Sequence, residues 1–348
     1  MKKNQKKKYL IPAGTCLLII VGIVYYYFFS AISTKPYTQY IYVDADDNID
    51  SIYTHLDSIV SEHGMRAFRI LSRHCQYEDH IRTGRYEITT SIGAFQLFRH
   101  MKNGMQKPVR LTIPSVRTMD KLAAELSKRL MLDSATLHNA FNNDTLLRRM
   151  GYTEETIPAL FIPNTYDVYW NISLDRFLEK MQEENQKFWN GSRTAKAKQL
   201  KLSHVEVITL ASIVDEETAN EAEKPKVAGM YYNRLNFRDK EYPLGMPLQA
   251  DPTIKFALKD FDLRRIYHNM LSVNSPYNTY KNIGLPPGPI RIPSVAGIDA
   301  VLNLEQHNYL YMCAKEDFSG THNFAHTYQE HLQNASKYLK ALNSRGIK

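Results

Sequence analysis

Cysteine, tryptophan and concentrated charge are all scarce in this sequence of 348 residues. Of its three cysteines, Cys16 lies in an uncharged stretch near the N-terminus, which leaves Cys75 and Cys313 as the one pair that could form a disulfide. The chain beyond that stretch has about 310 residues, enough for two ordinary cores. Its stability therefore does not require a disulfide.

The formal net charge of +8 comes mainly from the N-terminus. Five lysines lie within the first ten residues, and without them 39 basic residues stand against 36 acidic ones. No basic stripe interleaved with aromatic residues follows. The composition therefore argues against nucleic acid as a partner.

The segment from Tyr9 to Ile32 carries no charge and is rich in Leu, Ile, Val, Tyr and Phe. A stretch of about 20 apolar residues matches the hydrocarbon core of a bilayer. The preceding lysines favour a cytoplasmic N-terminus, and Tyr25–Phe29 forms an aromatic belt. We therefore predict a basic cytoplasmic tail at residues 1–8 and a single membrane anchor at residues 9–32, with a periplasmic remainder. A cleaved signal peptide is the alternative.

Residues 37–114 have the pattern strand, helix, strand, helix, strand. The stretches "YTQYIYV", "TGRYEITT" and "PVRLTIP" are rich in strand-forming residues, and between them we predict helices at residues 48–64, closed by Gly64, and at residues 91–104. Nothing in this region brings acids, histidines or cysteines together. It is typical of a binding or spacing module.

Helical spacing dominates from Thr118 onward. The predicted fold class is therefore α+β, with one transmembrane helix, a small α/β module at residues 37–114 and a larger, mainly helical domain with short strands at residues 115–348. The stretch "FIPNTYDVYW" interrupts the helices, and its Tyr166, Tyr169 and Trp170 are candidates for a sugar platform. Filling of the core is the alternative.

The stretch "ASIVDEETAN" places Asp215, Glu216 and Glu217 at the end of a predicted buried helix. On a helical wheel Glu217 falls on the apolar side, whereas Glu216 faces away together with Thr209 and Ser212. A carboxyl against apolar residues has a raised pKa and can act as a general acid. The alternative is an acid that caps a neighbouring helix or pairs with an arginine such as Arg234.

A proline- and glycine-rich stretch follows at residues 275–294 and is otherwise rich in Asn, Thr and Tyr. Proline fixes the backbone at low entropic cost, so the hydroxyl and amide groups of this loop would be held in place. Such a loop suits a carbohydrate ligand. A purely structural Ω-loop is the alternative.

Five blocks carry a family resemblance: "LASIVDEETAN", "VAGMYYNRL", "MPLQADPTIKFAL", "SPYNTYKNIGLPPGPIRIPS" and "THNFAHTYQEH". In this order they resemble the YceG-like family, the endolytic murein transglycosylases. These are membrane-anchored enzymes that cut the glycan strands of peptidoglycan. The region around "TGRYEITT" resembles the LysM-like module of that family, and the catalytic region would begin near Thr118. Asp215 and Asn164 stand where the family commonly has Glu and Asp, and "IPSVRT" replaces a common "PEG" turn.

The resemblance implies that Glu217 is the catalytic glutamate. It would protonate the oxygen between N-acetylmuramic acid and N-acetylglucosamine, then remove the proton of the muramoyl 6-hydroxyl as an anhydro ring closes. No water, metal or other cofactor is implied, and one carboxyl serves both steps. Asp251 or Asn278 is expected to orient Glu217. The residues expected around the sugar are Gln249, Asp251, Tyr277, Asn278, Tyr280, His322, Phe324 and Tyr166.

The histidines of "THNFAHTYQEH" also invite a metal-site interpretation, because His322 and His326 are four residues apart and His331 follows. Gly320 and the residues after it are more typical of a strand edge, which favours a hydrogen-bonding role. The expected partners are glycan strands, membrane lipid through the N-terminal helix, and the synthases that make peptidoglycan. A muramidase-type hydrolase and a non-catalytic glycan-binding scaffold are the alternative functions.

Overall fold

The computed structural model describes residues 3–263 and 265–345, without the side chains of residues 3–11 and 13. The chain divides into two compact units. The N-terminal unit comprises Met1–Leu111, Arg129–Leu132 and Asp167–Ser173, and the C-terminal unit comprises Thr112–Lys128, Asp133–Tyr166 and Leu174–Lys348. The described residues form many helices and three two-stranded sheets, which confirms the α+β class.

The first part of the chain alternates strands and helices, as predicted. Its elements are α1 (Lys3–Phe28), β1 (Gln39–Val43), α2 (Ile49–Asp57), α3 (Glu62–His74), β2 (Gly84–Ile88), α4 (Ala94–Asn103) and β3 (Val109–Thr112). β1 and β2 pair antiparallel, with Gln39 opposite Ile88. Side chains from both strands pack with α2, α3 and α4 into one apolar core. The assignment of residues 37–114 as a LysM-like module stays a prediction.

The single helix predicted at residues 48–64 is wrong, because the chain forms α2 and α3 there. Between them the N–H of Ser61 donates to the carbonyl of Ile32 at 2.7 Å. Gly64 does not end a helix but lies inside α3, where an added Cβ would come within 2.5 Å of the Ile32 side chain. A contact with a distant residue, rather than helix termination, explains the glycine.

Helix α1 covers most of the segment predicted to be a membrane anchor. Within the described part of the chain, we find no helix whose length and apolar character would let it cross a bilayer. The side chains of residues 9–11 and 13, which belong to the predicted anchor, lie outside the described set. The anchor at residues 9–32 therefore remains a prediction.

Helices dominate the rest of the chain, as predicted. The elements are α5 (Met119–Ser127), α6 (Ser134–Phe141), α7 (Asp144–Met150), β4 (Thr165–Val168), α8 (Leu174–Phe188), α9 (Gly191–Gln199), α10 (His204–Glu217), α11 (Lys224–Asn236), α12 (Asp251–Leu258), α13 (Val295–Leu302), β5 (Tyr311–Ala314), β6 (His322–Ala325) and α14 (Tyr328–Ser344). β3 pairs with β4, and β5 pairs antiparallel with β6. His322 therefore lies on a strand, which confirms the strand-edge interpretation.

Helix α10 runs through the core of the C-terminal unit. Ser203 caps its start, and Glu206 completes a capping box. Every residue from Val207 to Val214 is buried, including Thr209 and Ser212 at 2% and 0% exposure. The one-sided apolar stripe predicted for this helix is therefore wrong. The Ser212 hydroxyl donates to the Thr209 carbonyl (2.7 Å), which lets a polar side chain stay in the core.

Candidate active site

The last turn of α10 carries three consecutive carboxylates, and the first forms a buried ion pair. The ammonium of Lys224 lies 2.6 Å from Oδ1 of Asp215. The backbone N–H of Ser294 donates to Oδ2 of Asp215 at 2.5 Å, and Ser294 is the N-cap of α13. The side chains of Lys224 and Asp215 are 8% and 4% exposed. Asp215 therefore joins three helices, α10, α11 and α13.

The second carboxylate, Glu216, binds two arginines. Nε and Nη2 of Arg117 donate to its two oxygens at 2.8 Å each, and Nη1 of Arg291 donates to Oε1 at 2.8 Å. The Glu216 side chain is 9% exposed. As the helical wheel predicts, Glu216 faces away from the surroundings of Glu217. It points into an ion-pair network, however, rather than into solvent.

The third carboxylate, Glu217, has a neutral partner. The hydroxyl of Tyr231 donates to Oε1 at 2.5 Å, and among the described residues no lysine or arginine forms an ion pair with Glu217. The side chain is partly buried and lines a cavity of about 330 Å³. The pKa of Glu217 is raised to about 7: burial raises it most, the Tyr231 hydrogen bond lowers it, and the charge of Asp251 raises it. A large fraction of the molecules therefore carries a protonated Glu217 near neutral pH.

Arg234 lines the same cavity and lies one turn after Tyr231 on α11. It is only 7% exposed. Its Nε donates to the carbonyl of Leu310 at 2.5 Å, and its Nη1 donates to the carbonyl of Leu248 at 2.7 Å. Burial lowers the pKa of Arg234, but a guanidinium stays charged in proteins. Arg234 thus holds two walls of the cavity together and places a positive charge near Glu217.

Another wall is formed by the start of α12 and the loop that contains Tyr280. The hydroxyl of Tyr280 donates to Oδ1 of Asp251 at 2.5 Å. The hydroxyl of Thr279 accepts the N–H of Ala250 at 3.0 Å, and the carbonyl of Thr279 accepts the N–H of Gln249 at 3.1 Å. Gln249 adopts φ +50°, an uncommon value for a residue other than glycine. These contacts fix the positions of Gln249 and Asp251 in the cavity.

The turn after Glu217 is fixed by Glu223. Its Oε2 accepts the hydroxyl of Thr218 at 3.0 Å and lies 3.0 Å from Nδ1 of His322, while its Oε1 accepts the N–H of His322 at 2.7 Å. His331 also lines the cavity, and its buried Nδ1 has no hydrogen-bond partner in the described part of the chain. Within residues 3–263 and 265–345, no group of three or more His, Cys, Asp or Glu side chains could hold a metal ion. The histidines contribute hydrogen-bonding groups to the wall.

A profile of the YceG-like family matches residues 41–337, which is most of the chain. The chain belongs to the YceG-like family. Relatives named endolytic murein transglycosylase include proteins from Bacillus subtilis and Streptococcus pneumoniae. That of Bacillus subtilis (strain 168) is 32% identical over 218 residues, 63% of this chain and 55% of the relative. That of Streptococcus pneumoniae (strain R6) is 26% identical over 328 residues, 84% of this chain and 57% of the relative.

A solved structure shares the fold. The crystal structure of a YceG-like protein from Listeria monocytogenes is 25% identical, with a TM-score of 0.54, and the match covers 85% of this chain and 98% of that one. The present chain spans 55% and 57% of the length of the two curated relatives. The similarity to the YceG-like family thus extends over most of the sequence and includes the fold.

Half of the residues predicted to surround the sugar lie around Glu217 in this YceG-like chain. Those that line its cavity are Gln249, Asp251, Tyr280 and His322. The expectation that Asp251 or Asn278 orients Glu217 is wrong, because Asp251 binds Tyr280 and Glu217 binds Tyr231. Asp251 does line the same cavity as Glu217, as expected of a residue near the sugar.

The other predicted residues have different positions. Asn278 is fully buried and its amide donates to the carbonyls of Leu271 and Val273, so it fixes the loop rather than facing a ligand. The Tyr166 hydroxyl donates to the carbonyl of Ile162 at 2.8 Å, which corresponds to the core-filling alternative. Phe324 packs against the core cluster, and Tyr277 lines a different cavity.

Among the residues that line the Glu217 cavity, Tyr231, Arg234 and His331 are polar side chains that were not predicted to surround the sugar. Tyr231 and Arg234 lie three residues apart in "VAGMYYNRL", where Arg234 was expected only as a possible ion-pair partner of the acid, and His331 was expected only as a candidate metal ligand. The spacing of Tyr231 and Arg234 places them on one face of a helix. This spacing was a usable signal, but nothing in the sequence shows that this face meets Glu217.

Proposed function

We propose that this chain is a lytic transglycosylase that cleaves the bond between N-acetylmuramic acid and N-acetylglucosamine in peptidoglycan strands. The observation that carries the proposal is the carboxyl of Glu217, partly buried in a cavity, with a pKa raised by burial to about 7. The names of the relatives from Bacillus subtilis and Streptococcus pneumoniae support the same reaction and substrate.

Glu217 serves as acid and then as base. Its protonated carboxyl gives a proton to the glycosidic oxygen, and the bond from that oxygen to C1 of the muramoyl residue breaks. The resulting carboxylate then removes the proton of the muramoyl 6-hydroxyl, whose oxygen forms the new bond to C1. The 1,6-anhydro product contains no added water, and Glu217 ends in its original protonated state.

The hydrogen bonding of Glu217 supports this assignment. Tyr231 holds Oε1, while no described residue donates a hydrogen bond to Oε2. Oε2 is therefore available to a substrate oxygen. The positive charge of Arg234 stabilises the carboxylate that forms after the first proton transfer. Gln249, Asp251, Tyr280 and His322 are proposed to bind the sugar hydroxyl and acetamide groups.

The first experiment compares purified wild-type protein with Glu217→Gln on isolated sacculi. We expect wild type to release fragments with anhydro ends, and the variant to lose activity by about 10²- to 10⁴-fold because the proton donor is gone. Glu221→Gln, which changes an exposed glutamate nearby, is the matched control. Activity of Glu217→Gln close to wild type would refute the role of Glu217.

A muramidase-type hydrolase is the second candidate, because Asp251 lines the cavity together with Glu217. Glycoside hydrolases commonly use two carboxyl groups. Mass spectrometry separates the two reactions, since a hydrolase product is heavier by one water than an anhydro product. A non-catalytic scaffold would bind glycan strands and release no fragments, even as the wild-type protein.

We also propose an envelope location with an N-terminal anchor at residues 9–32 and a periplasmic catalytic domain. Support comes from the five lysines among the first ten residues and from exposed apolar side chains between Leu17 and Val24. The strand–helix–helix–strand order from β1 to β2 supports a small LysM-like module at residues 37–114. Peptidoglycan synthases are the proposed protein partners.

A further inference from the structure

A second cavity of about 520 Å³ lies in the C-terminal unit, lined in part by aromatic side chains. The rings of Phe256 and Tyr277 have centroids 4.6 Å apart, and those of Phe256 and Phe261 are 6.3 Å apart. The guanidinium of Arg117 lies 5.5 Å from the centroid of Phe261. All three rings are partly exposed. We call this the aromatic cavity.

Two segments of chain connect the aromatic cavity to the Glu217 cavity. Asp251 at the start of α12 lines the Glu217 cavity, while Phe256 in the same helix lines the aromatic one. Their separation along the helix axis is about 8 Å at 1.5 Å per residue. The loop after α12 also contributes to both cavities. Tyr280 lines the Glu217 cavity, and Tyr277 lines the aromatic cavity. The two cavities are therefore neighbours along the same two segments.

A third connection passes through the ion pairs of α10. Arg117 lines the aromatic cavity and binds Glu216, the residue before Glu217, through two hydrogen bonds of 2.8 Å. Gly288, which precedes Pro289 of the cavity lining, packs so closely against the carbonyl of Glu155 that no side chain would fit there. The position of the aromatic cavity relative to Glu217 is thus fixed by packing and ion pairs.

The aromatic cavity offers a free hydrogen-bonding group. The hydroxyl of Tyr277 has no hydrogen-bond partner among the described residues. Burial, and then the charges of Glu155 and Glu154, raise the pKa of Tyr277. The hydroxyl therefore stays protonated at physiological pH and can donate to a ligand.

The charges of the aromatic cavity favour a neutral ligand. Two cations, Arg117 and Lys259, stand against the three carboxylates of Asp120, Glu154 and Glu155. Arg117 is already bound to Glu216, so no excess of positive charge remains to attract the carboxylates of a peptide. Aromatic rings, carboxylates and a tyrosine hydroxyl together suit a sugar, which presents C–H groups on its faces and hydroxyls at its edge.

We propose that the aromatic cavity is a saccharide subsite that binds the same glycan strand beyond the sugar held at Glu217. This inference rests on the proposed function, because the strand is its substrate. Tyr277 donates a hydrogen bond to the sugar, and Phe261 and Phe256 contact its C–H groups. The sugar specificity of the enzyme would then depend on residues outside the Glu217 cavity.

The experiment measures binding without cleavage, in the Glu217→Gln background. The probes are glycan strands of peptidoglycan with two, four and eight sugars, without stem peptides and with each muramoyl lactyl carboxyl capped as an amide so that the strand is neutral, and the readout is the Kd from calorimetry. We expect the eight-sugar strand to bind at least about tenfold more tightly than the two-sugar strand, which corresponds to about 1.4 kcal/mol. Tyr277→Ala and Phe261→Ala should each remove most of this difference and leave the Kd of the two-sugar strand nearly unchanged.

Two further variants make the result specific. Tyr277→Phe keeps the ring and removes only the hydrogen bond, so it should bind the long strand about threefold more weakly. Gln186→Ala changes an exposed residue in another cavity, at the opposite end of α10, and should bind all strands like the parent. Thermal unfolding of each variant checks that the fold is retained.

The outcomes separate the subsite from the proposed function. Equal affinity for short and long strands, or a length effect unchanged in Tyr277→Ala and Phe261→Ala, would overturn the subsite. No binding at any length would contradict the proposed function, on which the subsite rests. An effect of these variants only on strands that carry stem peptides would show a peptide site instead. Cleavage of sacculi by Glu217→Gln would contradict the proposed function and not the subsite, because binding and cleavage are measured separately.

Discussion

Asp215 and Glu216 each meet a cation within 2.8 Å, whereas Glu217 in the same turn of α10 meets the hydroxyl of a tyrosine. All three carboxyls are at least partly buried. Asp215 and Glu216 connect this turn to three other segments. Lys224 belongs to α11, Ser294 is the N-cap of α13, and Arg117 lies in the segment before α5. The side with the tyrosine opens into a cavity. The difference teaches that partner chemistry, rather than burial alone, separates the two structural acids from the residue that we propose as the proton donor.

The largest expected effect tests the structural side of this comparison. Lys224→Met leaves Asp215 buried without its cation, so the free energy of unfolding should fall by about 3 to 5 kcal/mol. Denaturant unfolding at neutral pH measures the change. Lys128→Met breaks an exposed ion pair with Glu125 and should cost at most about 1 kcal/mol. A stable Lys224→Met protein that has lost catalysis would assign a chemical role to Asp215.

The next prediction concerns the pH dependence of stability at Glu217. The folded-state pKa of about 7 lies above the ordinary value of 4.5, so the folded protein binds more protons than the unfolded chain between these two values. Stability therefore falls as pH rises from 4.5 to 7, and this loss persists at higher pH.

Glu217→Gln removes that titration. Relative to wild type, the variant should be more stable at pH 8 by about 3 kcal/mol and much closer to wild type near pH 4. Denaturant unfolding at the two pH values measures the difference. An advantage of the variant that does not change with pH would mean that Glu217 has an ordinary pKa.

The smallest expected effect concerns Tyr231, which we propose to position the carboxyl of Glu217. Tyr231→Phe removes the hydrogen bond to Oε1, so kcat should fall by about tenfold. This hydrogen bond lowers the pKa of Glu217, and without it the alkaline limb of the pH–rate profile should move to higher pH. The neighbouring Tyr232 donates to the carbonyl of Leu200 instead. Tyr232→Phe should therefore keep the wild-type profile, and an equal shift in both variants would contradict the role of Tyr231.

The mixed strand and helix pattern of residues 37–114, the predominance of helices after it and the position of Glu217 at the end of a buried helix could be predicted from the sequence. These features depend on local spacing, on capping residues and on the clustering of acids after an apolar run. The resemblance to the YceG-like family located Glu217 independently, on the block "LASIVDEETAN". Both sources rely on residues that are adjacent in the chain.

The features that could not be predicted depend on contacts between distant residues. The wheel placed Thr209 and Ser212 on an exposed face, but the helices around α10 bury all of its sides. Tyr231 reaches Glu217 only through the packing of α11 against α10. Tyr277 and Tyr280 are three residues apart in one loop, yet they line different cavities. Composition identified the loop as polar and rigid, but only the fold separates its two faces.

The most direct test of the account is the protonation of Glu217 itself. Infrared difference spectra between wild type and Glu217→Gln isolate the carbonyl stretch of the protonated carboxyl as pH is varied. We predict that this band is present in the folded protein at pH 6 and disappears with a midpoint at about pH 7. A midpoint near the ordinary value of 4.5 would mean that Glu217 is ionised at neutral pH, which would contradict its role as the proton donor.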